Sequence, residues 1–277
     1  SFWIFLNAIM DRIYWSTGQF VLGVFRGAAT VAVYAVAIQL QQMYMMFSTA
    51  ISGVFLPKVT AMVARHGSDR ELSDLFIRTG RVQYIVMAYI LCAFAVFGDA
   101  FIRLWAGPGY GDAYVMALLF FVPLTVPLIQ NVGINILMAR NEMKFRSVVY
   151  VVIAVLSLGL SVYGAKRYGG IGCAVATSLA LTAGQIVVMN VYYKRRQRLD
   201  IGRFWREIGR MSVVPAVLCA GGLYVSGRVD LCRPWCFVLG VAVFTLVYAP
   251  ACWRFSMNAS ERALVSVPLG RIRKKFL

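Results

Sequence analysis

The sequence predicts an all-α protein, a polytopic bundle of about eight transmembrane helices. Hydrophobic residues make up 60% of the chain and charged residues only 14%, whereas soluble domains are about 45–50% apolar and about 25% charged. The apolar residues also fall in blocks long enough to cross about 30 Å of hydrocarbon at about 1.5 Å per residue. The basic residues lie mostly between these blocks, which is typical of membrane proteins.

Turn-forming residues separate several of the blocks. Pro57 is predicted to end the second block, Gly107–Gly111 forms a turn-rich connector before the fourth, and Gly169-Gly170 divides the fifth from the sixth. The predicted spans are residues 2–24, 29–56, 82–98, 113–138, 147–164, 171–193, 211–227 and 235–253.

The distribution of Lys and Arg predicts the orientation. Of the 28 basic residues, 21 fall on one side of the predicted bundle, among them Arg81 and Arg146 as loop residues, 6 fall on the other side, and Arg12 lies inside the first span. Cytoplasmic loops carry the excess of Lys and Arg. The richer side and the C-terminus are therefore predicted to be cytoplasmic, and with eight spans residue 1 starts at the same face.

Three segments on the basic side are predicted to be amphipathic interfacial helices. Ser68 and Glu71 form a capping box before an apolar stripe, residues 203–210 interleave aromatic and basic side chains, and the tail 258–277 ends in four basic residues. Such segments anchor to anionic lipid headgroups or dock a partner protein.

The first span carries the charged residues of most interest. Asp11 and Arg12 are the only acidic and basic residues inside a predicted span, and Asn7 and Gln19 extend the polar face of the same helix. Charges at membrane depth are costly, so they usually line a substrate or ion pathway. The alternative is structural pairing with a helix outside this sequence.

Other spans carry a second set of polar residues. Pro123 and Pro127 remove two successive backbone hydrogen bonds from the fourth span, where Asn131 and Asn135 follow at helical spacing. Broken helices at membrane depth are typical of transporter sites, although neighbouring helices can also satisfy a simple kink. Gln41 lies on a polar side of the second span, where packing between helices is the alternative.

Several classes of function are disfavoured. There is no Walker A sequence, no metal-ligand spacing of Cys and His, and no separate polar domain for nucleic acid, so we expect no cofactor, no metal and no nucleic-acid partner. The one histidine, His66, falls in a basic-side loop, which makes acyl-transfer chemistry improbable. Cys232 and Cys236 could form a disulfide on an oxidising face, but packing cysteines are favoured.

Short motifs are spread over residues 1–200. They are Asp11-Arg12 with Leu22–Ala28, Val33–Ala37, Phe55–Pro57, Arg103–Gly107 with Tyr110 and Ala113-Tyr114, and Tyr168–Thr177. Together they resemble the oligosaccharide flippase or polysaccharide biosynthesis protein family, within the multidrug, oligosaccharidyl-lipid and polysaccharide exporter superfamily.

This resemblance implies two six-helix lobes around a central cavity, often with two extra C-terminal helices. Residues 1–193 would form the second lobe, 194–210 a basic interfacial loop, 211–253 the extra pair and 254–277 a basic cytoplasmic tail. The chain begins inside an apolar block without Met, so we expect an N-terminal lobe upstream.

The resemblance also implies a function. The substrate would be an oligosaccharide on undecaprenyl pyrophosphate, a repeat unit of O-antigen, capsule or exopolysaccharide, carried across the bacterial cytoplasmic membrane by alternating access and without enzymatic chemistry. Arg12 would suit the diphosphate, and Asp11 would suit coupling to a proton or sodium ion. Within the superfamily the alternatives are a drug or cation antiporter and a lipid II flippase. From another class, the alternative is a membrane-embedded sugar-transfer enzyme or polymerase.

Overall fold

The computed structural model describes residues 2–65, 67–229, 231–259 and 261–263, and every regular element in these ranges is helical. His66 and most of the predicted basic tail, residues 264–277, lie outside the described residues. The α-helices are α1 (Phe2–Phe25), α2 (Ala28–Ala64), α3 (Asp69–Trp105), α4 (Asp112–Ile129), α5 (Asn131–Ala139), α6 (Met143–Leu181), α7 (Met189–Arg195), α8 (Ile201–Ser226) and α9 (Pro234–Ala251). Short π-helical turns follow α6 at Thr182–Val188 and α9 at Cys252–Ser256, and a 3₁₀ turn at Pro108–Tyr110 precedes α4.

The number of membrane spans is close to the predicted eight. Within the described residues, six helices are long and apolar enough to cross a membrane. One of them, Met143–Arg195, bends at Gly169 and therefore supplies two spans. Helix α1 has 24 residues and is long enough to cross, but it carries the polar face noted above. The all-α multi-pass bundle is thus confirmed, with the count of spans approximate.

Several predicted boundaries were wrong because helices continue past the apolar blocks. Helix α2 runs through Pro57 for seven more residues, and Val59 and Met62 in that extension are buried against the bundle. Ser68 and Glu71 do form the predicted capping box, but the helix they start is α3 itself. Residues 203–210 likewise form the beginning of α8. Because the extensions are buried against the bundle, these amphipathic stretches continue the transmembrane helices and do not form separate interfacial helices.

The bend in α6 brings two glycines together. Gly169 has a φ of +63°, a conformation that favours glycine, and it turns the chain back on itself without a loop. The two arms then approach so closely that a Cβ on Gly164 would lie 2.5 Å from the carbonyl oxygen of Gly172. Arg26 spans this bend, donating from Nε and Nη2 to the carbonyls of Ala165 and Lys166 at 2.7 Å each. We call Arg26 and residues 164–172 the elbow.

The main apolar core runs through α1 to α7 and the start of α8. Trp15 and Tyr34 both pack edge-to-face on Phe120, and the Tyr14 hydroxyl donates to the carbonyl oxygen of Thr177. A smaller cluster of Cys92, Tyr248 and Cys252 joins α9 to α3. Cys232 and Cys236 are not disulfide-bonded in the structure.

Arg81 also differs from the prediction, which counted it among loop residues. It lies in α3 and only 7% of it is exposed. Its guanidinium binds Glu207 of α8 at 2.6 Å and Glu261, in the short stretch after α9, at 2.5 Å. The burial follows from the same continuation of α3 that places its first three turns against α8.

Candidate functional site

A cavity of about 220 Å³ opens between α1, α2, α4, α5 and α6, in the half of the bundle nearer the basic side. We call it the charged cavity. Its apolar walls come from residues such as Ile4, Leu124 and Leu181. Its polar lining consists of Asn7, Asp11, Thr49, Asn131, Arg146, Tyr150 and Gln185. Few polar groups in an apolar pocket are typical of a binding site.

Arg146 is the cation of this cavity, although the sequence predicted it as a loop residue. Helix α6 begins at Met143, one turn before the predicted span, and this start carries Arg146 into the bundle with 6% of the residue exposed. Its Nη1 donates to Gln185 Oε1 and its Nη2 to the Tyr150 hydroxyl, each at 3.2 Å. The guanidinium also lies 4.9 Å from the centre of the Tyr150 ring.

Asp11, on α1, lines the same cavity next to Tyr150. The Tyr150 and Trp15 side chains are close enough to interact with its carboxylate, and the charge of Arg146 acts on it. Among the described residues no basic nitrogen lies within 4.0 Å of the carboxylate, so Asp11 has no direct ion-pair partner there. The Tyr150 hydroxyl therefore stands between an unpaired acid and a buried base.

Three buried donors at the cavity lack partners in the described part of the chain. They are Asn7 Nδ2, Arg146 Nε and Gln185 Nε2. A buried polar group without a hydrogen bond costs about 1–3 kcal/mol, which a bound ligand or water would remove. The donors suit an anionic or hydroxyl-bearing group, and the Asp11 carboxylate suits a proton or metal cation.

The fourth predicted span does break, but beyond the prolines. Pro123 and Pro127 remain inside α4, which ends at Ile129, and Gln130 separates it from α5. Gln130 Nε2 donates to Asn190 Oδ1 at 2.9 Å, which ties the break to α7. Pro127 lines the charged cavity, so the break lies beside the site.

The two asparagines after the break point mainly toward α2. Asn131 Nδ2 donates to Ser52 Oγ at 3.2 Å, and Asn135 Nδ2 donates to the Ser52 carbonyl at 3.2 Å. Asn131 also lines the charged cavity, whereas Asn135 does not. These hydrogen bonds fix α5 against α2 and hold the wall of the cavity in place.

The remaining predicted site residues lie outside the charged cavity. Arg12 is exposed on a different face of α1 from Asp11, and Gln19 is partly buried further along the same helix. Gln41 is fully buried, and its Nε2 contacts Met45 Sδ at 2.6 Å. Of the predicted polar residues, the structure brings together Asn7, Asp11 and Asn131.

Arg146, Tyr150 and Gln185 were missed as site residues from the sequence. Arg146 and Tyr150 have i, i+4 spacing, which would place them on one helix face had the helix been started at Met143. Gln185 lies in the sixth predicted span and was not predicted as a site residue. Nothing in the sequence pairs Gln185 with Arg146, because the elbow that brings the two arms of α6 together is a tertiary feature.

Comparison with known proteins supports the motif-based resemblance. A family model described as polysaccharide biosynthesis protein matches residues 1–115, which contain α1, α2, α3 and the start of α4. No curated protein and no solved structure matches the chain. The resemblance that the motifs indicated is thereby confirmed over residues 1–115, and the chain is a multi-pass membrane protein similar to the polysaccharide biosynthesis proteins.

Proposed function

We propose that the protein is a flippase for an oligosaccharide linked to undecaprenyl pyrophosphate, moving it from the cytoplasmic to the outer leaflet of the bacterial cytoplasmic membrane by alternating access. The charged cavity carries this proposal. It places an acid and a base in one cavity within the bundle, and the acid lies on α1, inside the part of the chain that the family model of polysaccharide biosynthesis proteins matches. A side chain nine residues into α1 lies about 14 Å along the helix, so Asp11 is near the middle of the bilayer.

The exposed face of α1 is consistent with a translocation path that has a second wall facing α1. Arg12 lies on this face, and a cation facing hydrocarbon near the bilayer centre costs at least about 2.5–3.5 kcal/mol. The cost falls if Arg12 instead faces a water-filled path closed by an N-terminal lobe, as the resemblance implies. A guanidinium there would bind the diphosphate of the substrate through paired hydrogen bonds.

Asp11 is the proposed coupling residue. Its carboxylate has no direct cationic partner among the described residues, and Arg146 lies near enough to influence its charge. Binding of a proton or sodium ion at Asp11 would change the net charge of the cavity. This change would shift the equilibrium between the inward-open and outward-open states of the transporter. The transported molecule keeps its covalent structure, so the proposal includes no enzymatic step.

Deletion of the gene in its host tests the proposal. We expect lipid-linked repeat units to accumulate on the inner leaflet and surface polysaccharide to fall, with both restored by the wild-type gene. Asp11→Ala and Arg12→Ala should each fail to restore export while inserting normally. Units that still reach the outer leaflet after deletion, accompanied by a rise in drug sensitivity, would point to a drug antiporter instead.

A polymerase gives a different pattern in the same experiment. Loss of a polymerase leaves single repeat units exposed on the outer leaflet, where an external lectin or antibody detects them. Loss of a flippase leaves the same units inaccessible until the cells are opened. The accessibility of the accumulated units therefore separates the transport proposal from the enzymatic alternative.

A further inference from the structure

A second pocket lies at the elbow, at the end of the bundle with few basic residues. It has a volume of about 310 Å³, at the lower end of the about 300–1,000 Å³ that is typical of small-molecule sites. Three segments distant in sequence line it, namely 26–33, the start of α4, and 168–171. We call it the elbow pocket. The first and last of these segments are among the motifs that carried the family resemblance, and the charged cavity uses neither.

The elbow explains some of these residues without a ligand. Arg26 uses Nε and Nη2 to hold the carbonyls of Ala165 and Lys166. Gly27 and Gly169 have positive φ values of 83° and 63°, and a Cβ on Gly170 would lie 2.5 Å from Met116 Cε. These residues are therefore needed to form the turn.

Other polar groups in the elbow pocket take no part in holding the elbow carbonyls. Asp112 also lies in the first turn of α4, where a carboxylate favours the helix dipole. The Asp112 carboxylate and the hydroxyls of Thr30 and Tyr168 line the pocket, and no described residue forms a hydrogen bond with them. Tyr168 is 71% exposed and offers its ring to a ligand. Arg26 retains Nη1, which takes no part in its bonds to the elbow carbonyls.

The mixture of charges narrows the class of ligand. Arg26 and Asp112 line the same pocket without forming a direct ion pair. An anion would be repelled by the carboxylate, and a cation by the guanidinium. A neutral polyhydroxyl ligand suits both, because hydroxyls donate to a carboxylate and accept from a guanidinium. The exposed Tyr168 ring can pack against the C–H face of such a ligand.

We propose that the elbow pocket binds a sugar ring of the oligosaccharide on the side where it is released. The inference rests on the proposed function for the identity of the oligosaccharide. Asp112 would accept hydrogen bonds from neighbouring sugar hydroxyls, Arg26 Nη1 would donate to another, and Tyr168 would pack against the ring. The pocket is too small for a whole repeat unit of several sugars, so it binds one sugar of the oligosaccharide.

Binding of a soluble oligosaccharide tests the elbow pocket directly. The probe is the repeat unit of the host's surface polysaccharide released from its lipid by mild acid, titrated into the purified full-length protein in lipid nanodiscs. We expect Asp112→Asn and Tyr168→Ala each to weaken binding about tenfold, the loss that follows from removing one strong contact. Thermal unfolding measured on the same samples verifies that the variants are folded.

Two matched variants serve as controls. Asp99→Asn makes the same change at the same end of the bundle, in an acid that pairs with Arg103 outside the elbow pocket. Tyr163→Ala removes a tyrosine that is 62% exposed on the same arm of α6. Both should bind the probe like the wild type. Unchanged binding in the Asp112 and Tyr168 variants would overturn the inference. An equal loss in the controls would overturn it as well, because the loss would then not be specific to the elbow pocket.

The outcome is separable from that of the proposed function. The gene-deletion experiment reports whether lipid-linked units cross the membrane, whereas the titration uses a soluble sugar without lipid. Lipid-linked units that still reach the outer leaflet after deletion, together with a selective loss of sugar binding in the Asp112 and Tyr168 variants, would reject the flippase and keep the pocket. Transport that is unaffected by Asp112→Asn and Tyr168→Ala, together with unchanged binding, would keep the flippase and reject the pocket.

Discussion

Two arginines, Arg12 in α1 and Arg146 in the first turn of α6, meet different surroundings. Arg146 is 6% exposed, and Gln185 and Tyr150 supply acceptors for its Nη1 and Nη2. Arg12 is exposed and has no hydrogen bond to the described residues. A buried cation needs such acceptors because it has lost its water. Arg146 is therefore part of the internal structure of the bundle, whereas the exposed Arg12 is available to a ligand.

We expect the charges of Asp11 and Arg146 to be energetically coupled. Asp11→Asn, Arg146→Gln and the double variant would be compared by their free energies of unfolding in mixed micelles. Coupling between neighbouring charged groups is typically about 0.5–3 kcal/mol, so the double variant should lose less stability than the two single variants combined. Arg140→Gln with Asp11→Asn is the control, because Arg140 binds Gln197 and Asp69 instead. Effects that simply add for Asp11 and Arg146 would contradict the coupling.

The sequence identified part of this site for a clear physical reason. Asp11, Asn7 and Asn131 are polar residues well inside apolar blocks, where polarity stands out. Arg146 lies one residue before an apolar block, where a basic residue is ordinary on the cytoplasmic side. Its burial depends on where α6 starts and on how Gln185 returns to meet it. The local amino-acid composition predicts neither the start of α6 nor the position of Gln185 next to Arg146.

Among the elements, the bent helix α6 contributes to both pockets of the bundle. Its first arm carries Arg146 and Tyr150, and the π-helical turn after its second arm carries Gln185. The elbow at Gly169 therefore determines the distance between the two halves of the polar cluster. The charged cavity and the elbow pocket lie at opposite ends of the two arms of α6. A change in the elbow is therefore expected to alter the geometry of both pockets.

We expect the close approach of Gly164 and Gly172 to be essential for the elbow. A Cβ at Gly164 would lie 2.5 Å from the Gly172 carbonyl oxygen, which is backbone and cannot swing away. Gly164→Ala should destabilise the protein by about 1–3 kcal/mol, the usual cost of overpacking. The measurement is the midpoint of thermal unfolding in detergent.

Gly159→Ala provides the control on the same arm. A Cβ at Gly159 would meet nothing within 4 Å. Replacing an unstrained helical glycine by alanine stabilises a helix by up to about 1 kcal/mol, so the unfolding midpoint should stay or rise. Equal losses from both substitutions would contradict the prediction, because the effect would then not depend on the contact between the arms.

The helix ends are the part of the elements that the sequence predicts least well. The apolar blocks located the spans, and Gly169-Gly170 located the elbow, because hydrophobicity and turn chemistry are local properties. Pro57 was read as a helix end, yet burial of Val59 and Met62 beyond it keeps α2 continuous. Tertiary contacts decide such cases. The prolines of α4 misled in the same way, since the break falls after Ile129.

At the scale of the molecule, the two ends of the bundle differ in charge. The sequence predicts that the richly basic end faces the cytoplasm, and labelling with a membrane-impermeant maleimide tests this orientation. In a cysteine-free background, we expect Gly109→Cys, at an exposed turn, to react in intact cells. Arg196→Cys, exposed after α7 at the other end, should react only after the cells are opened. The reverse pattern would invert the proposed direction of transport.

A buried charge cluster joins the two C-terminal helices to the bundle, in addition to the packing of Phe204 of α8 on Phe76 of α3. Helix α9 contributes a small apolar cluster with α3, and large parts of α8 and α9 are exposed. Arg81 joins α3 to Glu207 of α8 and to Glu261 beyond α9, and Glu261 also caps the turn at Asn258. The Glu261 side chain is 2% exposed, so its charge depends on Arg81.

We expect Arg81→Met to loosen this attachment strongly. Removing one partner of a buried ion pair typically costs about 3–5 kcal/mol because the other charge is left uncompensated. Arg103→Met is the matched control on the same helix, since its pair with Asp99 is about half exposed and such pairs contribute about 0–1 kcal/mol. Unfolding in mixed micelles would compare the two. Adding Glu261→Leu to Arg81→Met should restore part of the loss, because the stranded carboxylate is then gone; a further loss instead would mean that Glu261 stabilises the C-terminal turn independently of Arg81.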